Sequence, residues 1–460
     1  MRYTPFDVDL FEATGSHLAG LTEVSEGWYV DYKSQAIRPR ELAKSLSSFA
    51  NRYGGWLFLG VKENSSNHTA ESFPGIPDAD VASVVEQVRD AAKDIVQPAV
   101  SYFHHSVSGP LPEISLPEGR SIIIVQIPEG ASPPYVHSDG RIYVRTGDSS
   151  TPAYANDRAT IDLLHRKADE KRALLDDFVY RSPEVSKGED GTTFLHLAIC
   201  SDPFQVLGHR YTGSFPEFSD LMGSRPLPFD NIYTSQSGFV ARQAQGNERR
   251  KRIFTWEFSR KCNSFVTFPL PSLEVPSLNS LRTSREIKEW SQYFHGVEFA
   301  SRLAVDDLQY SRVLNLNILV TMLMGMVARH RSLAAQARIN GPFFLKARVE
   351  NSWRVVPFLD TTEYISHIDK FGIPVVQDAD IEAPLGNWPE GFIRIPEINW
   401  SPVEDEAILA TSAGGIEAWV ELLRALGIPG EVLSKNTNEI LESANREVER
   451  HRGRLTGGSL

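Results

Sequence analysis

The sequence predicts an α+β fold from three observations. It has short apolar runs of strand character, stretches whose apolar residues recur at helical spacing, and a later part in which strand-like pieces give way to long helices. Residues 28–33 read as a strand because aromatic and β-branched residues dominate them. Pro39 opens a helix at a position that tolerates proline, and Leu42, Leu46, Phe49 and Ala50 give that helix an apolar face. Gly54 and Gly55 end it, because glycine enters the positive-φ turn without steric cost. Residues 56–61 are wholly apolar and predict a central strand, and 63–77 read as a loop. Val81, Val84, Val85, Val88, Ala92 and Ile95 place a helix over 80–95. Strands follow over 100–104, 121–127 and 140–145, and then a charged helix over 157–178 with a leucine seam.

The polar stretch 182–191 marks a boundary. The expected organisation is a preamble of weak pattern over 1–20, a first domain over 21–155, a helical linker over 156–191 and a second α+β domain over 192–460. In the second domain, 193–200, 238–242, 253–258, 265–269, 343–349 and 353–358 read as strands. Residues 285–302, 308–338, 403–426 and 430–451 read as helices. The 308–338 stretch carries Met322, Met324 and Met326. Its first reading is core packing and its second a homodimer surface, since a helix apolar on most sides must be covered by something.

A chain of 460 residues exceeds one ordinary core and suits two or three domains, and 41% hydrophobic with 23% charged residues argues against wholesale disorder. The two cysteines, Cys200 and Cys262, are too few for a disulfide framework, and the absence of Cys-x-x-Cys leaves no zinc motif. The N-terminus shows no apolar signal core. The longest apolar run, near 314–328, is interrupted by Asn315 and Asn317, so a cytoplasmic protein with no membrane partner is expected. The net charge of −12 means that contact with a polyanion must come from a local patch. Arg249, Arg250, Lys251 and Arg252 form the densest positive run, between two strand-like pieces. It is a candidate phosphate-binding hairpin tip, with a solvated loop as the other reading. Arg329, His330 and Arg331 are a weaker candidate.

Three blocks carry more specific information. Glu26 precedes Asp31-Tyr32-Lys33. Phe49-Ala50-Asn51-Arg52-Tyr53-Gly54-Gly55 runs into Trp56-Leu57-Phe58-Leu59-Gly60-Val61-Lys62-Glu63. Pro134-Tyr135 is followed by Tyr143-Val144-Arg145-Thr146-Gly147. In this order the blocks resemble the Schlafen AlbA domain, the second AlbA-like family, over about residues 21–153. The resemblance implies a domain that handles nucleic acid, RNA or DNA. From the nuclease members of that family it further implies that acids at three places bind Mg2+ or Mn2+. By position these are Glu26, Asp31 and Glu63, with Lys33 placed to hold a phosphate oxygen.

The residues support that chemistry in kind, since hard divalent cations prefer carboxylate oxygens and can activate water for phosphodiester hydrolysis. If the strands at 28–33 and 56–61 are neighbours, the three acids meet at one sheet end. The sequence departs from the family pattern in carrying Asp at the second acid, Glu at the third, and Lys62 where relatives often carry an acid. Arg145 reads either as a phosphate ligand or as a structural ion pair. Asn51, Gly54 and Gly55 read as turn-makers.

Two functions from different classes follow. One is nucleic-acid binding without catalysis, regulatory or anti-phage by family analogy. The other is a metal-dependent endoribonuclease that uses Glu26, Asp31, Glu63 and Lys33. An ATP-binding module ranks third, because no Gly-Lys dipeptide supplies a P-loop. His-Glu-x-x-His, Gly-x-Ser-x-Gly and Gly-x-Gly-x-x-Gly are absent, which removes zincin, hydrolase and dinucleotide-binding readings.

Overall fold

The computed structural model describes residues 3–146, 151–183, 189, 191–204, 211–225, 227–244, 250–273, 289–308, 311–337, 339, 341–396, 404–434 and 437–456. The protein is α+β and divides into two compact units, the first built on Met1–Asp177, the second on Phe178–Pro203 and His209–Leu460.

In the first unit, strand β1 (Val30–Lys33) runs parallel to β2 (Gly55–Leu59), pairing Val30 with Trp56 and Lys33 with Leu59. Three short strands follow: β3 (Lys62–Glu63), β4 (Ala70–Ser72) and β5 (Ile76–Pro77). Beyond β6 (Val96–Gln97) come β7 (Phe103–Ser108) and β8 (Arg120–Ile127); β8 lies antiparallel between β2 and β7 and also pairs with β5.

Alternation along these strands sorts the side chains onto two faces. Leu57, Leu59, Ile123, Val125 and Ile127 pack beneath helices α2 (Pro39–Ala50) and α3 (Asp78–Asp94). Val30, Tyr32, Trp56, Phe58, Ile122 and Ile124 face the other way. The segment expected to be a preamble closes that second face. Phe6, Leu10, Leu18 and Leu21 are buried on it, the last two in and after the short helix α1 (Gly15–Ala19), and Phe6 meets Trp56 and Phe58 edge-on. A central sheet covered on one face only would leave this apolar row in water.

The expected loop over 63–77 contains the β3–β4 hairpin and β5, elements too short to show a pattern. Strands β9 (Val136–His137), β10 (Tyr143–Val144) and β11 (Ala153–Tyr154) complete the unit, and α4 (Arg158–Val179) follows.

The second unit holds an eight-stranded antiparallel sheet. Its members are β12 (Phe194–Cys200), β13 (Asn231–Thr234), β14 (Gly238–Arg242), β15 (Thr255–Ser259), β16 (Asn263–Pro269), β19 (Phe343–Glu350), β21 (Asp380–Ala383) and β22 (Ile393–Ile395). Helix α5 (Phe215–Gly223) precedes β13, and α6 (Gly296–Val305) follows β17 (Ser272–Leu273).

The long helix expected over 308–338 is split. Strand β18 (Arg312–Asn315) pairs with β17 and with β20 (Val355–Phe358), and only then does α7 (Leu319–Gln336) begin. Met322 and Met326 of α7 are buried in this unit's core, and helix α9 (Glu404–Ala425) lies so close that a Cβ on Gly415 would come 2.7 Å from the Met324 backbone. The apolar helix therefore packs against its own chain, the first of its two readings. Helix α8 (Thr362–Phe371) was missed. The expected terminal helix divides into α10 (Gly430–Ser434) and α11 (Thr437–Thr456). Among the described residues no helix is long and apolar enough to cross a membrane.

Candidate functional site

Asp31 stands in the middle of β1 with its side chain beneath α2, fully buried. Three partners converge on it. Lys33, two residues on and therefore on the same face, pairs with Oδ1. Ser45 of α2 donates to Oδ2 at 2.8 Å, and a nitrogen of the Arg145 guanidinium lies 2.9 Å from the same oxygen. Arg145 is also fully buried, its Cζ 4.2 Å from the centroid of the Phe49 ring.

The helix–Gly–Gly–strand block builds this arrangement. Gly55 makes room for the Phe49 ring, since a Cβ there would fall closer than 3.0 Å to two ring carbons. Gly54 takes φ +75°, where a Cβ would stand 2.6 Å from the Ile127 carbonyl oxygen. Asn51, expected to be a turn-maker, is a tertiary clamp. Its side-chain amide donates to the carbonyls of Tyr135 at 2.9 Å and Tyr143 at 2.8 Å and accepts from the Tyr135 N–H at 2.7 Å. Holding Tyr143 fixes the short strand that delivers Arg145 two residues later.

Glu26 precedes β1 and turns back on it: one carboxylate oxygen accepts the Tyr32 N–H, and the other, Oε2, is buried without a hydrogen-bond partner. Burial pushes the Glu26 carboxyl up to about 8, and the neighbouring carboxylates of Asp31 and Glu63 push the same way against the opposing pull of Lys33 and the Tyr32 N–H. Glu63, on β3, pairs with His68 across the hairpin, and the His68 carbonyl accepts the Glu26 N–H at 2.8 Å. The strands at 28–33 and 56–61 are neighbours through the β1–β2 pairing, and Glu26 lies within electrostatic reach of both other acids.

The acids nevertheless have partners within the protein. Asp31 has both oxygens engaged by Lys33, Ser45 and Arg145, and Glu63 has His68. Among the described residues no group of three or more His, Cys, Asp or Glu side chains is arranged to hold a metal ion. In this arrangement Oε2 of Glu26 is the carboxylate oxygen of the three acids that is buried without a hydrogen-bond partner. Lys62 pairs with Glu71 at 2.6 Å.

Arg145 takes the ion-pair position rather than an exposed one. Sequence reading missed Ser45, Phe49 as a guanidinium shelf, and His68. The signal for Ser45 is the Ser45-x-Ser47-Ser48 run inside an apolar helix face, where serine has little reason to be unless its hydroxyl meets a buried partner.

The second-unit candidates divide. Arg249 lies outside the described residues. Arg250 and Lys251 are exposed in the connection between β14 and β15. Arg252 turns inward, with Cζ 4.6 Å from the Phe194 ring centroid, a nitrogen 3.4 Å from Glu350, and its backbone N–H on Glu189. Arg329 and Arg331 are buried on carbonyl oxygens, of Leu221 and Ser224 for the former and Pro396 for the latter. His330, fully buried, lies between the hydroxyls of Ser201 at 3.2 Å and Ser264 at 2.8 Å. Burial first, then the nearby Arg331 charge, lowers it to about 3.

The family described as Schlafen, AlbA_2 matches residues 26–154, the segment that contains this whole charged cluster. The chain is similar to the solution structure of the N-terminal domain of an ATP-dependent DNA helicase RecG-related protein from Nitrosomonas europaea, at 18% identity over 32% of this chain and 93% of that one, with a TM-score of 0.20. It is also similar to the crystal structure of the DIP2311 protein from Corynebacterium diphtheriae, at 13% identity over 35% of this chain and 36% of that one, with a TM-score of 0.21. No curated relative matches the chain.

Proposed function

We propose that this protein, whose residues 26–154 form a Schlafen AlbA_2 domain, binds nucleic acid through that domain and holds it without cutting it. The observation that carries the reading is the double cationic pairing of Asp31. A carboxylate answered by both Lys33 and Arg145 is already more than neutralised inside the protein and calls for no metal ion. The cluster then serves to hold β1, α2 and the Tyr143–Arg145 segment in one geometry, and binding falls to the surface around it. A regulatory or defensive role in the cytoplasm would act through such binding, on RNA or DNA.

A second reading, metal-dependent phosphodiester cleavage, is favoured by Glu26 alone. Its buried, unpartnered oxygen and raised proton affinity beside two other acids are what a bound cation would relieve. It requires Lys33 and Arg145 to release Asp31.

One comparison separates the two. The full chain is incubated with labelled tRNA and with plasmid, in Mn2+ and in chelator, with gel shift and product length read from the same samples. Binding with intact substrate under both conditions supports the first reading. Cleavage that disappears in chelator and in Glu26→Gln overturns it in favour of the second.

A further inference from the structure

Because β1 and β2 are parallel neighbours, the residues that lead into them emerge side by side. Those residues are aromatic: Trp28 and Tyr29 before β1, and Tyr53 before β2. Tyr3 joins them from the N-terminal segment. The rings are in contact. Tyr3 stacks on Tyr29 with centroids 4.8 Å apart and planes 19° apart, Tyr29 meets Tyr53 at 6.2 Å, and Trp28 meets Tyr53 edge-on at 5.8 Å. Three of the four are exposed, Tyr3 at 38%, Trp28 at 37% and Tyr53 at 47%, and Tyr29 is partly buried against the sheet core.

Cations rim this patch. The Lys167 ammonium of α4 sits 4.6 Å from the Tyr53 centroid and donates to the Arg52 carbonyl at 3.2 Å. Lys171, one turn on, donates to the Gly130 carbonyl at 2.7 Å. Lys167 and Lys171 supply two positive side chains, and the carboxylate of Glu129, which pairs with Lys167 at 3.1 Å, leaves the named set at +1, two cations less one anion.

We propose that Tyr3, Trp28, Tyr29 and Tyr53 form a stacking surface for the unpaired bases of a single nucleic-acid strand, with Lys167 and Lys171 beside its phosphates. Exposed π faces hold bases of any sequence, and a positive rim tracks the backbone; the two together distinguish a single strand, whose bases are free to stack, from a duplex, whose bases are already stacked. A protein partner would be served by the rings but has no general need of the cationic rim. The proposal rests on the nucleic-acid reading above and names the form of nucleic acid that the domain selects.

The test uses the full chain and fluorescence anisotropy with three probes of equal phosphate number: an oligothymidylate, the same strand made abasic, and a duplex. Wild type is expected to bind the oligothymidylate at least tenfold more tightly than either other probe. Tyr53→Leu and Trp28→Leu are each expected to lose roughly tenfold on the oligothymidylate and nothing on the abasic strand. Trp353→Leu, an equally exposed ring in the second unit (47%), is expected to change nothing. Tyr53, the most exposed of the four rings, keeps the test decisive if Trp28→Leu fails to fold. Equal binding of abasic and base-bearing strands, or unchanged binding by a folded Tyr53→Leu, overturns the stacking surface and leaves the nucleic-acid reading standing. Rings whose removal abolishes self-association of the chain and not oligonucleotide binding overturn it in favour of a protein contact. No binding of any probe by wild type overturns both.

Discussion

The guanidinium of Arg145 meets the carboxylate of Asp31 at 2.9 Å inside the first unit, and neither side chain reaches solvent. A pair this deep is costly to break from one side. Asp31→Ala leaves Arg145 buried without its counter-charge, for an expected loss of about 3–5 kcal/mol. Asp31→Asn combined with Arg145→Met removes both charges at once and is expected to cost less than the sum of the single changes, with a coupling of about 0.5–3 kcal/mol. Urea denaturation of the four proteins measures it. Strictly additive losses would show that the two groups do not stabilise one another.

Gly55 and Phe49 make a second, steric prediction. The Cβ of Gly55→Ala would press into a ring that has the Arg145 guanidinium on it, so the ring cannot yield without disturbing the ion pair. Overpacking of this kind costs about 1–3 kcal/mol. Phe49→Leu in the Gly55→Ala background is expected to recover part of the lost melting temperature. If Gly55→Ala melts with wild type, the space that glycine provides is not needed.

The two units are expected to respond to pH with opposite sign. In the first, the folded state holds the Glu26 proton up to about 8, whereas the unfolded chain releases it near 4.5. The folded state therefore binds more protons between those values. Its advantage is complete below 4.5 and is lost as pH rises through 8, at about 1.4 kcal/mol per unit of separation at most.

In the second unit His330 stays neutral down to about 3, while the unfolded chain takes up a proton near 6.5. Stability there is present above 6.5 and falls as pH drops toward 3. Glu26→Gln is expected to flatten the alkaline loss, and His330→Gln the acid loss. Hydrogen exchange read separately in each unit between pH 4 and 9 checks both. Parallel pH profiles in the two units would refute the assignment.

What could be read in the sequence divides along a physical line. The Phe49–Gly55 block was legible because glycine and helix periodicity leave local signatures, and β2 and β8 were legible from the apolar runs 56–59 and 122–125. The pairing of Asp31 with Arg145 was not, since the partners come from distant parts of the chain and either charge alone is equally consistent with a surface group. Residues 1–20 were set apart because short turns carry no periodicity, although Phe6 and Leu18 close a sheet face. Arg312–Asn315 was absorbed into the helix after it because a short apolar run has no period that distinguishes strand from buried helix. Arg252 looked like its neighbours because a run of like charges does not show which member finds a carboxylate.

That last distinction is itself testable. Arg250 and Lys251 are exposed, whereas Arg252 lies against Phe194 and Glu350. Arg252→Ala is expected to destabilise the second unit by about 1.5–3 kcal/mol, the scale of a hydrogen bond to a charged group. Glu350 keeps His196 at 3.0 Å, which holds the loss to that range rather than to the full cost of an orphaned carboxylate. Arg250→Ala and Lys251→Ala are expected to leave stability within about 0.5 kcal/mol. If the connection between β14 and β15 touches phosphates, each of these two changes lowers the salt dependence of RNA binding by about 0.7 in the log–log slope, while Arg252→Ala leaves that slope alone. A slope altered by Arg252→Ala in a protein of unchanged stability would mean that this guanidinium faces the polyanion and not Glu350.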